Sequence, residues 1–239
     1  MYFFIARLAP FEECKDFNPG ELRIQDGWIL DVYSDLMCIW NADVSNDFDE
    51  VRAFCNDMFH LLTLLFVFRS QKLISHQMRN WIESKGVGSR DNVIGAFLST
   101  HAMPNSKSRD NVSWRRVARI FPKVSGDQFL RLALKDYVSS QRDSGDDAFF
   151  FAYRSVESVC RCFCSTRTQL SDSDWHAMHG QLGTSKSLIE PLTNAAQDIR
   201  HGNTSGGGLK SARANRRVVL GISRDVLTRA FKQRCPGFL

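Results

Sequence analysis

Apolar and polar positions alternate in short stretches at the start of the chain. Turn residues at Pro10, Pro19-Gly20 and Asp26-Gly27 separate these stretches. Alternation with a period of two is typical of half-buried strands, and Pro, Gly and Asp are typical of the turns between them. The pattern predicts a small antiparallel sheet with strands at Tyr2–Leu8, Leu22–Ile24, Trp28–Tyr33 and Leu36–Trp40.

The apolar period lengthens to that of a helix after Ser45. Ser45 and Asn46 precede acidic residues in an N-cap pattern, and apolar positions then recur at helical spacing to about Arg69. This spacing predicts one long, mostly buried helix. Its longest apolar run, Met58–Phe68, is shorter than the roughly 18 apolar residues of a membrane span. We therefore interpret it as a core helix.

A polar stretch divides the chain into two halves. Residues 70–84 add another strand or a short helix, and Pro104–Asn111 has the composition of a linker. We therefore expect an α+β domain at residues 1–105 and a second domain at residues 112–239.

The second half has helical periodicity throughout. A flexible loop is predicted at Ser205–Gly208, just before the last helix. The expected fold class is thus an α+β N-terminal domain, with a small antiparallel sheet and a long helix, followed by an all-α helical bundle. The predicted helices are Trp114–Phe121 (stopped by Pro122), Asp127–Arg142, Asp146–Arg167, Asp172–Leu182, Ser185–Arg200 and Ala212–Arg234.

Composition excludes several classes of protein. With 239 residues, 43% of them hydrophobic and 24% charged, the chain is neither disordered nor collagen-like. The apolar start Met1–Ile5 has no basic residue before it and is too short for a signal peptide. Seven scattered cysteines are an odd number, which favours reduced thiols over a disulfide framework. We expect a cytoplasmic protein that does not cross a membrane.

Charge is distributed unevenly about a net value of +5. Residues 1–50 contain eleven acidic and three basic side chains, whereas residues 200–239 contain nine basic side chains against Asp225 alone. A basic end suits a phosphate-bearing partner. The two ends can equally neutralise each other, within the fold or between subunits.

The segment Asn194–Gly202, with the sequence NAAQDIRHG, carries the most informative chemistry. His201 can act as an acid or base near neutral pH, and Arg200 can hold a phosphate. These groups are the minimum for metal-independent RNA cleavage through the 2′-hydroxyl. Arg, His and Gly are also the residues that favour a helix C-terminus, so a capping role stays open.

The helical half resembles the HEPN superfamily of small helical domains. The resemblance rests on Asp147–Glu157 (DAFFFAYRSVE) and on Asn194, six intervening residues and His201, and it covers about residues 125–239. Members of that family that cleave RNA carry Arg or Asn before such a His and act as dimers. The resemblance implies Asn194, Arg200 and His201 as catalytic residues, with Asn194 in the place that Arg usually takes. Asn can hydrogen-bond a phosphate but brings no charge.

Further arginines are candidates for contacts with nucleic acid. Arg213, Arg216 and Arg217 belong to the basic last helix, which would add salt-dependent affinity. Arg154 and Glu157 lie three residues apart on one helix. They form either a structural ion pair or an extension of the Asn194–His201 site from a neighbouring helix.

These observations lead to one hypothesis and two alternatives. We expect an RNA-directed module of a bacterial stress or phage-defence system, which binds RNA and has the residues for metal-independent cleavage. The resemblance implies that this module is a dimer. The first alternative is a non-catalytic protein-interaction or scaffold subunit. The second is a metal- or thiol-dependent enzyme that uses Cys160, Cys162, Cys164, His176 and His179. Their spacing has no CxxC pair, so we expect neither a metal nor another cofactor.

Overall fold

A computed structural model describes residues 2–9, 20–23, 28–33, 36–41, 48–71, 73–83, 114–164 and 169–236. The chain divides into two compact units, Met1–Ala118 and Arg119–Leu239. The predicted linker Pro104–Asn111 and the predicted N-cap at Ser45 and Asn46 lie outside the described residues.

The N-terminal unit contains a five-stranded antiparallel sheet in the order β2-β3-β4-β1-β5. The predicted small sheet is confirmed, and within the stretch 70–84 residues Ser75–Glu83 form its edge strand. In β1, Phe4, Ala6 and Leu8 are almost fully buried. The strands are β1 (Tyr2–Ala9), β2 (Gly20–Arg23), β3 (Ile29–Tyr33), β4 (Leu36–Asn41) and β5 (Ser75–Glu83).

The long helix α1 (Phe48–Ser70) contacts β1 and β5. Aromatic contacts connect α1 to the sheet side of this unit. The ring centroids of Phe48 and Phe4 are 5.9 Å apart, and those of Phe54 and Trp28 are 5.5 Å apart. Helix α1 is long and apolar enough to cross a membrane, but 67% of its most apolar 18-residue window is buried inside the fold. It therefore packs as a core helix, as predicted.

The second unit is built from helices, which confirms the predicted bundle. Helix α4 is central, because it packs against α3, α6 and α8, and α6 in turn packs against α7. Side-chain caps at Asp127, Ser171 and Ser185 fix three of the helix starts. The helices are α2 (Trp114–Gly126), α3 (Gln128–Arg142), α4 (Asp147–Cys162), α5 (Asp172–Leu182), α6 (Lys186–Arg200), α7 (Gly207–Ala214) and α8 (Arg216–Arg234).

Three helix boundaries differ from the sequence prediction. Helix α2 continues through Pro122 to Gly126, because a proline removes a single backbone bond and its exposed ring faces solvent here. Helix α4 ends at Cys162 rather than Arg167. The predicted last helix is two helices, α7 and α8, that meet at Asn215.

Candidate functional site

The side chain of Arg200, at the end of α6, lies over two aromatic rings of α4. Its guanidinium carbon is 5.4 Å from the ring centroid of Phe150 and 5.3 Å from that of Tyr153. Its Nη2 atom donates to Oε2 of Glu157 over 3.4 Å. A cation over a ring is attracted by the negative face of the π-system. Arg200 is thus held in place while its side chain remains 45% exposed.

A second guanidinium contacts the same aromatic surface. The Cζ atom of Arg154 is 5.8 Å from the Phe150 centroid, and its Nε atom is 3.5 Å from Oδ2 of Asp136. Asp136 is buried. Burial raises the pKa of its carboxyl, and the charge of Arg154 opposes that rise. We call Phe150, Tyr153, Arg154, Glu157 and Arg200 the arginine–aromatic cluster.

A row of rings extends this cluster onto α5. The Tyr153 ring stacks on Trp175 with centroids 6.3 Å apart, and Trp175 lies 6.4 Å from the ring of His179. Burial and the neighbouring carboxylate of Glu157 raise the pKa of Tyr153 to about 12, so its hydroxyl stays protonated. Burial also lowers the pKa of His179, whose Nδ1 atom is 2.8 Å from Oγ1 of Thr184. The row is therefore uncharged near neutral pH, and its rings are partly exposed.

The structure decides between the two interpretations of Arg154 and Glu157. They do not pair with each other: Arg154 pairs with Asp136 of α3, and Glu157 pairs with Arg200 of α6. Glu157 thus reaches the predicted site from a neighbouring helix, whereas Arg154 is fixed by a buried carboxyl that sequence reasoning did not single out. Spacing alone cannot find such partners, because they belong to other helices.

Asn194 and His201 are exposed and separate from the cluster. They are seven residues apart, so they share a helix face, whereas Arg200 lies about 120° around the axis from Asn194. The backbone N–H of His201 donates to the carbonyl of Gln197 over 3.0 Å and ends the helix, as the capping interpretation predicted. Among the described residues, neither the Asn194 amide nor the His201 ring has a hydrogen-bond partner. Of the three predicted catalytic residues, the described contacts place Arg200 alone in the arginine–aromatic cluster.

The predicted flexible loop is instead a close packing point between α6 and α7. The carboxylate of Asp198 accepts from the backbone N–H of Leu209 over 2.8 Å and so caps α7. A Cβ atom on Gly208 would lie 2.8 Å from the backbone carbonyl carbon of Asn194, and one on Gly206 would collide with Asp198. The glycines are thus required for close approach rather than for flexibility.

Two of the predicted phosphate-binding arginines are engaged within the protein. Arg213 donates to both carboxylate oxygens of Asp146, over 2.9 and 2.5 Å. Arg216 donates to the carbonyls of Gly145 and Asp143, over 2.9 and 2.8 Å. Both arginines therefore hold the turn between α3 and α4. Arg217 is exposed and has no ion pair with any described residue.

The cysteines of the candidate metal region pack into the bundle. The Sγ atoms of Cys160 and Cys164 are 3.7 Å apart, and Cys164 donates to the carbonyl of Asp174 over 3.5 Å. Cys162 turns away, toward Asp127. Burial raises the pKa of all three thiols. Within the described ranges, no group of three or more His, Cys, Asp or Glu side chains is placed to hold a metal ion.

The fold and the site define a helical domain with an exposed arginine–aromatic surface. Residues 117–235 match the family model described as the C-terminal domain of a domain of unknown function, DUF8168. This similarity covers the described helices α3 to α8. No curated protein and no solved structure matches the chain.

Proposed function

We propose that the helical unit binds single-stranded RNA at the arginine–aromatic cluster. The observation that carries the proposal is Arg200, whose half-exposed guanidinium is held over the rings of Phe150 and Tyr153. Unpaired bases stack on aromatic rings and on arginine planes, while the N–H groups of arginine donate to phosphate. Arg154 offers a second guanidinium beside the same ring.

An exposed basic face adds long-range attraction for a polyanion. On α8, Arg217, Arg224 and Lys232 recur at helical spacing and are exposed. Their contribution is a salt-dependent affinity without base preference. The cluster supplies the local contacts, and this basic face concentrates RNA near it.

The resemblance to the HEPN superfamily supports the same class of ligand. On that resemblance we propose a role in a cytoplasmic stress or phage-defence system, with a dimer that brings two Asn194–His201 motifs together. His201 is exposed and able to exchange a proton with a ligand. We propose it as the acid/base of any metal-independent cleavage, with Asn194 and Arg200 contacting phosphate.

Fluorescence anisotropy with a short labelled single-stranded RNA tests the binding. We expect Arg200→Ala to weaken binding roughly tenfold, since base stacking contributes about 1–3 kcal/mol per base. Arg52→Ala is the control, because it removes the same charge from an exposed position of the N-terminal unit. Equal affinities of the two variants would refute the cluster as the binding site.

The same protein preparations test cleavage. The RNA is incubated without added metal, and new ends are mapped for the wild type and for His201→Ala. Cleavage that disappears in His201→Ala assigns the acid/base role, whereas binding without cleavage limits the function to RNA binding.

The scaffold alternative rests on the opposite charges of the two ends of the chain. Residues 1–50 contain eleven acidic side chains, and residues 200–239 contain nine basic ones. Four of these basic residues pair with carboxylates of the helical unit, namely Arg200, Arg213, Arg229 and Arg234. The exposed Arg217, Arg224 and Lys232 are left for an acidic partner. Self-association that disappears in high salt, measured by light scattering, together with absent RNA affinity, would favour this alternative.

A further inference from the structure

The carboxylate of Glu157 is the described anionic partner of Arg200. This carboxylate makes one long contact with the Nη2 atom of Arg200, at 3.4 Å. Strong charge-assisted hydrogen bonds are about 2.7–2.9 Å long, and arginine can donate five. The pair therefore fixes the guanidinium loosely and leaves most of its donors for another acceptor.

The two arginines of the cluster are held in different ways. The partner of Arg154 is Asp136, whose side chain is 7% exposed, whereas the Glu157 side chain is 20% exposed and lies against a half-exposed arginine. The buried carboxyl of Asp136 cannot rotate away from Arg154 without leaving a cavity. Glu157 also accepts a hydrogen bond from the Tyr153 hydroxyl. Its partly exposed carboxylate can keep that bond, or rotate toward solvent, where its charge is hydrated.

We propose that Glu157 is a gate that sets the ligand specificity of Arg200, and that an RNA phosphate displaces its carboxylate on binding. This inference rests on the proposed RNA-binding function. Two anions beside one guanidinium repel each other, so the phosphate and the carboxylate compete. A free phosphate that replaces the Glu157 carboxylate gains little binding free energy, because one anion replaces another. An RNA strand that replaces it also gains the free energy of stacking on the neighbouring rings. Glu157 thus selects single-stranded nucleic acid over free phosphate.

Arg200 does not need Glu157 to stay in place. The rings of Phe150 and Tyr153 support the guanidinium, and Tyr153 is itself stacked on Trp175. Loss of the carboxylate charge therefore frees the donors of Arg200 while its position is retained.

The test is the affinity of Glu157→Gln for the labelled single-stranded RNA. We expect binding about two- to fivefold tighter than in the wild type, because partly exposed ion pairs contribute modestly. The slope of log affinity against log salt should stay the same, because the phosphate contact with Arg200 is made in both proteins. Inorganic phosphate should also compete better against RNA in this variant.

Glu190→Gln is the matched control, since it makes the same charge change at an exposed position of α6. The gain in RNA affinity should be absent in Glu190→Gln. It should also be absent in the double variant Glu157→Gln/Arg200→Ala, because the effect of Glu157 acts through Arg200. Should Glu157→Gln fold poorly by circular dichroism, Glu157→Ala is expected to give the same gain.

The outcomes separate the gate from the proposed function. If Arg200→Ala weakens binding but both Glu157 variants bind no more tightly than the wild type, the gate is refuted and the RNA site stands. If Arg200→Ala binds as the wild type does, the RNA site itself is refuted. A gain that persists in the double variant would also overturn the gate.

Discussion

The close approach of α6 and α7 predicts a sharp difference between neighbouring glycines. In Gly208→Ala the new Cβ would lie 2.8 Å from both the carbonyl carbon and the Cβ of Asn194, and 2.9 Å from its carbonyl oxygen. These are mainly backbone atoms of a packed helix, so the two helices must move apart. In Gly207→Ala the new Cβ would meet nothing within 4 Å.

The two substitutions therefore change stability in opposite directions. Overpacking lowers the free energy of unfolding by about 1–3 kcal/mol. The higher helix propensity of Ala compared with Gly raises it by about 1 kcal/mol. We expect Gly208→Ala to lower the free energy of unfolding by up to about 2 kcal/mol. Gly207→Ala gains helix preference without a collision and should raise it by up to about 1 kcal/mol.

Urea unfolding followed by far-UV circular dichroism measures both changes. In thermal unfolding, the Tm of Gly208→Ala should fall by about 2–4 °C for each kcal/mol lost. Gly221→Ala, with nothing within 4 Å of its new Cβ on α8, is a second control for helix preference. If Gly208→Ala is as stable as Gly207→Ala, the close packing of α6 on α7 is wrong.

Three further predictions concern titratable groups. The bidentate contact with Arg213 lowers the pKa of Asp146 from 3.8. The stabilisation from this carboxylate is therefore complete above pH 3.8 and is lost as the pH falls through the lower folded pKa. In urea unfolding, Asp146→Asn should lose less stability than the wild type over this pH range, and an equal loss would contradict the prediction. Burial raises the pKa of Asp136. The stability that the Asp136 carboxyl contributes is therefore complete below its unfolded pKa and is lost as the pH rises through its folded pKa. Asp136→Asn should not show this loss of stability, and the same loss in that variant would contradict the prediction. Cys164 is half-exposed whereas Cys160 is buried, so peptide mapping should find Cys164 alkylated first by iodoacetamide; earlier labelling of Cys160 would be inconsistent with the packing.

Local signals made much of the helical half predictable. Helix α5 begins after Ser171, where a capping box satisfies the first N–H groups, and ends before Gly183 in the left-handed region at φ 60°. Both signals are visible in the sequence, and the predicted range Asp172–Leu182 is confirmed. The break at Asn215 has no comparable signal, and the glycines at 206–208 suggest a loop unless the neighbouring helix is known.

The arrangement of the site could not be predicted in the same way. Sequence periodicity gives the face of a helix on which Arg154 or Arg200 lies, but not the helix that this face meets. Partner choice depends on packing between α3, α4 and α6, which places Asp136 beside one arginine and Glu157 beside the other. In the same way, only the fold places the ring of Trp175 against Tyr153.

Long-range attraction and direct contacts with RNA would come from different parts of the helical unit. In the cluster each arginine has a carboxylate partner, so the cluster contributes little net charge to long-range attraction. The exposed cations Arg217, Arg224 and Lys232 are not matched in this way by described acidic residues. An RNA strand would therefore be drawn by α8 and retained by the rings and Arg200, because stacking and direct donation act only at contact distance. This division explains why a half-neutralised arginine, rather than the most basic surface, is the better candidate for specificity.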